Sequence, residues 1–397
     1  MINEKMRELG AKRSVIRELF EYSKARKMEI GEDNVFDFSI GNPSVPAPDC
    51  VNSAMTKLIK EENSVLLHGY TSAQGDTHVR QAVVDFINKT QNTCYSANSV
   101  YMTVGAAAAL TCSLTALVNA GEEVIVLAPY FPEYKVFIER TGGIVKEVLC
   151  NETTFQPDFE RLEKAINEKT SAIIVNSPNN PTGAVITEEN IVKLSALLNK
   201  YQQKFGKPIY IICDEPYREL VYGDVTVPFI PKYYDNTIVC YSFSKSLSIP
   251  GERIGYVLVP EKAQDNIAIY QAVCGAGRAL GFVCAPSLLQ KIIPLCIGQT
   301  ADISIYDKNR QLLLKELTSY GYSVVKPDGA FYLFVKSPSG DGNEFSERAK
   351  KHEIMLVPSD SFGCKGYVRL SYCVTTEQIE KALPAFKNLA KSYGITK

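Results

Sequence analysis

No tryptophan occurs among the 397 residues, and histidine occurs three times, at His68, His78 and His352. Histidines so few and so scattered argue against a histidine-based metal site or catalytic triad, and no metal is expected. The eleven cysteines form no C-x-x-C pair. An odd count without that spacing speaks against a zinc site or a disulfide framework and for reduced thiols in a cytoplasmic protein. Charge of one sign is also lacking: the formal net charge is -1, which gives no reason to expect nucleic acid or an anionic membrane as partner. Long apolar runs are missing too. The most apolar stretch, Val104 to Val118, is too short and too interrupted by Thr, Ser and Cys to span a bilayer. The start, Met1 to Glu8, is charged and has no apolar core, so no secretory signal is expected.

What remains is a chain long enough for a large core and for two domains, with the apolar and charged fractions of a globular protein (45% and 22%). Ser14 to Met28 places Val15, Ile16, Leu19 and Phe20 at helical spacing, an N-terminal arm or helix. Between about Pro48 and Leu295, short apolar runs alternate with longer helical stretches. The runs are Glu123–Leu127, Ser171–Asn176, Ile209–Cys213, Thr237–Tyr241 and Ile254–Val259. Near-continuous apolar strands separated by helices predict an α/β fold, a mostly parallel sheet covered on both faces. A long helix over Asp302–Tyr320 leads into a smaller α+β portion. It has strands at Ala330–Val335 and Tyr367–Tyr372 and a last helix over Thr376–Tyr393. The expected division is 1–47 as arm and part of the small domain, 48–295 as the large domain, and 296–397 as the small C-terminal domain.

The unusual residues follow the strands. Pro129-Tyr130-Phe131-Pro132 comes after the first run, and Asn179-Asn180-Pro181-Thr182-Gly183 after the second. Asp214-Glu215-Pro216-Tyr217 comes after the third, and Ser242-Phe243-Ser244-Lys245 after the fourth, with Arg253 eight residues on. Ligands of open parallel sheets collect beyond the carboxyl ends of the strands. Each motif alone has a bland reading: Asn-Pro-Thr-Gly is a good turn, Asp214 could cap a helix, and Lys245 could be a solvated loop lysine. Together they offer an aromatic plate, a neutral donor, a carboxylate, hydroxyls, an amine and a guanidinium. That set complements a pyridine ring bearing an aldehyde, a phenolate and a phosphate, with Lys245 as the amine for a Schiff base.

In this order the motifs resemble the class I/II aminotransferases, pyridoxal phosphate (PLP) enzymes of the aspartate aminotransferase fold (fold type I), over roughly Phe38 to Ser371. The resemblance implies a Schiff base on Lys245, a ring-nitrogen carboxylate in Asp214, and phenolic-oxygen partners in Asn180 and Tyr217. For the phosphate it implies Arg253, Ser242, Ser244 and the backbone of Gly105-Ala106-Ala107 at a helix start. Phe131 would be the plate on the ring, with Tyr130 as the other candidate. Tyr70, in Gly69-Tyr70-Thr71-Ser72, would reach the phosphate of a neighbouring subunit, so a homodimer with shared sites is implied. Arg369 would grip the substrate α-carboxylate, with Gly41 and Asn42 in the loop that closes over it. Arg278 would pair with a side-chain carboxylate in the partner's site.

The implied reaction moves an amino group between an L-amino acid, aspartate or glutamate, and a 2-oxo acid, by a ping-pong mechanism. A carbon–sulfur β-lyase on the same fold, or a preference for alanine or aromatic donors, stays open. A dinucleotide-binding oxidoreductase fits poorly: in Gly275-Ala276-Gly277-Arg278-Ala279-Leu280-Gly281 the third glycine falls one residue late. No Walker A loop is present, and a regulator with an added basic DNA-binding module has no room in this length and charge.

Overall fold

The computed structural model describes residues 2–11 and 14–396. Its centre is a seven-stranded sheet: β1 (Val100–Thr103), β2 (Glu123–Ala128), β3 (Ile144–Leu149), β4 (Thr170–Asn176), β5 (Tyr210–Asp214), β6 (Thr237–Ser242) and β7 (Gly255–Leu258). The spatial order is β1-β7-β6-β5-β4-β2-β3. Pairing is parallel from β3 through to β6, while β7 is antiparallel to both neighbours.

Alternation along these strands gives the sheet two buried faces. Ile125, Leu127, Ile173, Val175, Ile211 and Val239 enter one core, and Val124, Val126, Ala172, Ile174, Ile212 and Ile238 enter the other. Strands apolar on both sides cannot face water, so helices cover them. The expected runs all appear, with ends shifted by a residue or so. Two strands of this sheet were not anticipated. β1 sits directly before an apolar helix and merges with it in the sequence. β3 is an edge strand whose Lys146 and Glu147 interrupt the apolar signal.

A second, four-stranded antiparallel sheet is formed by β8 (Val324–Val325), β9 (Tyr332–Lys336), β10 (Val357–Pro358) and β11 (Tyr367–Ser371), in the order β10-β11-β9-β8. The helices Ser304–Ser319 and Thr376–Ser392 belong to the same core, as do Phe38 and Val45 from the chain's beginning and Tyr217, Leu220 and Tyr222 from its middle. The N-terminal helix Val15–Ile30 packs on this part of the molecule. Leu19 is buried with Met355, Val357 and Phe362, and Val15 and Ile16 lie against that cluster. Arg26 fastens the helix through Glu353, at 2.7 Å. Among the described residues, no helix is long and apolar enough to cross a membrane.

Candidate active site

Five parallel strands and the reversed one deliver their ends to one cleft of about 310 Å³. β1 leads through Gly105 into the helix Ala106–Leu117, whose first residues Ala106 and Ala107 line the cleft. β2 leads to Phe131, β4 to Asn176 and Asn180, β5 to Asp214 and Tyr217, and β6 to Ser242, Ser244 and Lys245. The reversal of β7 explains why Arg253 joins them. Ser242 pairs with Gly255, so the 243–254 loop is a hairpin that keeps Lys245 and Arg253 at the same end of the sheet. Arg253 is held at φ 53, ψ 59, a left-handed conformation that side chains rarely adopt. Its Nη1 donates to the Pro250 carbonyl at 3.0 Å. A Cβ at Gly105 would stand 2.7 Å from the other guanidinium nitrogen, so only glycine lets the helix start and Arg253 come together.

Asp214 is the electrostatic centre. Its Oδ2 accepts a 2.5 Å bond from Tyr134, while its Oδ1 is buried without a partner. Burial raises its carboxyl to about 7, with Tyr134 pulling it down and Glu215 pushing it up. A buried carboxylate oxygen left unpaired costs a few kcal/mol, on the order of 1–3, and here it belongs to a residue that lines the cleft. Asn176 fixes the local backbone: its side-chain amide donates to the Asp214 carbonyl at 2.8 Å, and its Oδ1 accepts from the Asn180 amide at 2.7 Å.

Lys245 donates to the Gly41 carbonyl at 2.8 Å and lies over the Phe331 ring at 5.2 Å. Burial lowers its ammonium to about 8; Cys373 opposes the shift, and Arg253 and Arg369 add to it. A lysine lowered this far gives up its proton more readily than a free one, and the amine so released can serve as nucleophile and proton carrier. Arg369 reaches the cleft from β11. Its two terminal nitrogens donate to Asn180 Oδ1 at 3.1 Å and to the Ser39 carbonyl at 2.5 Å, whereas its Nε is buried and unpaired. The rings of Tyr332 and Phe362 lie against it at 4.7 and 5.2 Å. A planar cation stacked between rings with a free donor is prepared for a carboxylate.

Not every expected residue enters this cleft. Asn42 is exposed and outside it, although its neighbour Gly41 lines it. Phe131 lines the cleft; Tyr130 is buried beneath, bonded to Glu147 at 2.7 Å, which removes it as the ring plate. Tyr70 is 92% exposed, and Arg278 is exposed in the last turn of the helix Asn266–Ala279, both outside the cleft of their own chain. Conversely, Tyr134, Asn176 and Tyr332 were not anticipated as residues of the site. The Tyr332 hydroxyl is 2.9 Å from that of Tyr217, and a Cβ at Gly41 would collide with it. The only signal for Tyr134 was its place three residues beyond the Phe131 position, on the inner face of the helix Glu133–Arg140.

The profile of the family described as aminotransferase class I and II matches residues 33–386. A solved aminotransferase from Eubacterium rectale is 55% identical and superposes with a TM-score of 0.97, covering 99% of each chain. The aspartate aminotransferase of Thermotoga maritima is 31% identical over 91% of this chain and 93% of its own. Aromatic-amino-acid aminotransferase 2 of Thermococcus litoralis is 28% identical over 95% of this chain and 96% of its own.

Proposed function

The chain belongs to the class I and II aminotransferases, PLP-dependent transaminases, and from that premise we propose that it moves an amino group between L-aspartate or L-glutamate and a 2-oxo acid in two alternating half-reactions. The observation that carries the reading is one cleft holding a buried amine of lowered basicity, a carboxylate with an orphaned oxygen and two guanidinium groups, Lys245, Asp214, Arg253 and Arg369.

The residues fit PLP. Bound there, the cofactor supplies an aldehyde that takes up amino groups and a cationic ring that draws an electron pair from the substrate α-carbon. Asp214 Oδ1 would accept the ring N–H, which ends its orphaned state and keeps the ring charged. Tyr134 holds the other oxygen and so aims the carboxylate. Asn180 and Tyr217 would donate to the phenolic oxygen. Arg253, Ser242, Ser244 and the backbone N–H groups at Gly105, Ala106 and Ala107 would hold the phosphate, anion chemistry suited to a helix start. Phe131 would cover the ring face.

Lys245 is the amine that would anchor the aldehyde; once substrate has taken its place, it would move the proton off the α-carbon. Arg369 would bind the α-carboxylate and orient the bond to be broken, with the Gly41 loop beside it. The division into 48–295 against 1–47 with 296–397 suits this arrangement, since Arg369 and Tyr332 come from the second sheet and the remaining groups from the first.

A homodimer completes the reading. Tyr70, with Val65 and Leu66, stands exposed on one segment at 92%, 79% and 67%, and Tyr70 and Arg278 would act in the partner's cleft. All eleven cysteines are free thiols, which suits a reducing compartment such as the cytoplasm. Borohydride reduction of the PLP-loaded enzyme should place a pyridoxyl mass on the peptide containing Lys245, and attachment elsewhere overturns the assignment. A half-reaction screen over amino acids then identifies the donor. Ammonia and pyruvate in place of a keto acid would mean β-elimination rather than transfer. Mixing inactive Tyr70→Phe-impaired and Lys245→Ala proteins should restore some activity in hybrid dimers. A fully active monomer rules out the shared site.

A further inference from the structure

A second cavity of about 200 Å³ lies behind the Lys245 loop, on the other side of β6 from the cleft. Neighbouring residues on a strand point to opposite faces, so Ser242 faces the cleft while Tyr241 faces this cavity. Five aromatic residues line it, Phe86 and Phe229 among them; of the other three, Tyr241 and Tyr256 are stacked at 5.0 Å, and Phe243 meets Tyr241 edge-on at 5.1 Å. The segment after Asp214 supplies its charged side, Glu215, Arg218 and Glu219.

The charges there do not balance. Arg218 is directed to Glu215: it grips that carboxylate with two nitrogens, at 2.6 and 2.7 Å, and donates to the carbonyls of Val227 and Pro228. Glu219 feels the same guanidinium only through space: Arg218 attracts it, and the Tyr241 hydroxyl and its own backbone amide support the carboxyl, but its Oε2 is buried and unbonded. Two carboxylates therefore share one guanidinium, and the one that does not bond to it keeps a bare buried oxygen next to aromatic faces.

We propose that this cavity is a second ligand site, which takes a small organic cation with an N–H donor and a compact apolar body, a protonated amine. The N–H would pair with Glu219 Oε2 and the body would lie among Tyr241, Phe243 and Tyr256. A hard metal cation suits it less, because such ions demand six or more oxygen ligands, and among the described residues no group of three His, Cys, Asp or Glu is arranged for a metal. A neutral ligand leaves the negative charge uncompensated. Burial raises the Glu219 carboxyl to about 7, so the cation is also what would hold it ionised. The occupant would touch Ser246, the residue after Lys245, whose carbonyl also accepts the Ala301 amide at 2.7 Å.

The test uses the PLP-loaded enzyme and N-methylpiperidinium, a tertiary ammonium that cannot condense with an aldehyde, with cyclohexanol as its neutral counterpart. Calorimetric titration should give saturable millimolar binding of the cation to the wild type and binding at least tenfold weaker for cyclohexanol. Glu219→Gln should weaken the cation at least tenfold. Thr90→Phe, at the exposed rim of the cavity, fills its mouth without touching the carboxylate and should do the same, so the proposal stays testable if Glu219→Gln fails to fold. No saturable binding to the wild type overturns it, meaning a cavity that holds water only. Equal affinity of cation and alcohol, or undiminished affinity in either variant, overturns it as well.

Discussion

Asp214 and Glu219 lie in one short stretch and share the same predicament on opposite sides of β6. Each has one buried, unbonded carboxylate oxygen, and burial raises each to about 7. They differ in what surrounds that oxygen. Asp214 has Tyr134 and the Asn176 amide bracing it, and a cleft with Lys245, Arg253 and Arg369 around it. Glu219 has Tyr241 beside it, an Arg218 already bound to Glu215, and a smaller aromatic cavity. In the two proposed readings the neighbours set the partner: a ring cation would meet the braced Asp214, and a loose small cation would meet Glu219.

The sharpest way to test the difference is substitution of both carboxyls by amides. Asp214→Asn should lower kcat by about 10²–10³-fold, the range for removing one electrostatic contact to developing charge, and the loss for Glu219→Gln should be at least ten times smaller. Equal losses, read by steady-state kinetics with any accepted donor, would erase the distinction. Next in size, Arg369→Ala should cut kcat/KM by about two to three decades for all amino donors alike, because the α-carboxylate is common to them. A loss confined to one donor would move Arg369 from the common carboxylate to the side chain.

Arg278→Ala, outside its own cleft, should cost about one to two decades in kcat/KM for aspartate and much less for alanine or phenylalanine. Equal losses would leave it a residue of its helix. The smallest effect concerns stability. A carboxyl whose folded value lies above its unfolded one favours the folded state below the unfolded value, and that advantage disappears as pH rises through the folded value. Both groups thus make the cofactor-free protein lose stability between about pH 4 and 7. With PLP bound, Asp214 would stay ionised against the ring N–H, so the Tm gap between loaded and cofactor-free enzyme should widen across that window. Glu219→Gln should flatten the decline in both forms, and a gap constant with pH would mean that Asp214 does not meet the ring nitrogen.

The two carboxylates also show what a sequence discloses. Asp214 was legible because it ends an apolar strand and precedes Pro216-Tyr217, a local pattern. The strands β2, β4, β5, β6 and β7 were legible for the same reason, as buried runs of 4–7 residues. Tyr134, Tyr332 and Glu219 were not, because their importance arises from partners distant in the chain: 80 residues for Tyr134 with Asp214, and 115 for Tyr332 with Tyr217. No period or spacing encodes such meetings. The edge strand β3 escaped because charges on an exposed face break the apolar run that identifies a central strand.

One packing detail of the N-terminal helix has a mechanical meaning. Ile16 lines the cleft and rests on the cluster that includes Phe362, and the Phe362 ring lies 5.2 Å from the Arg369 guanidinium. The upper lip of the cleft and the guanidinium proposed as the hook for the carboxylate are thus seated on the same block, with Arg26 and Glu353 riveting the helix to it. A tilt of that block against the seven-stranded sheet would bring lip and hook inward together, like one jaw of a vice, so gripping the substrate and shutting out water become a single movement.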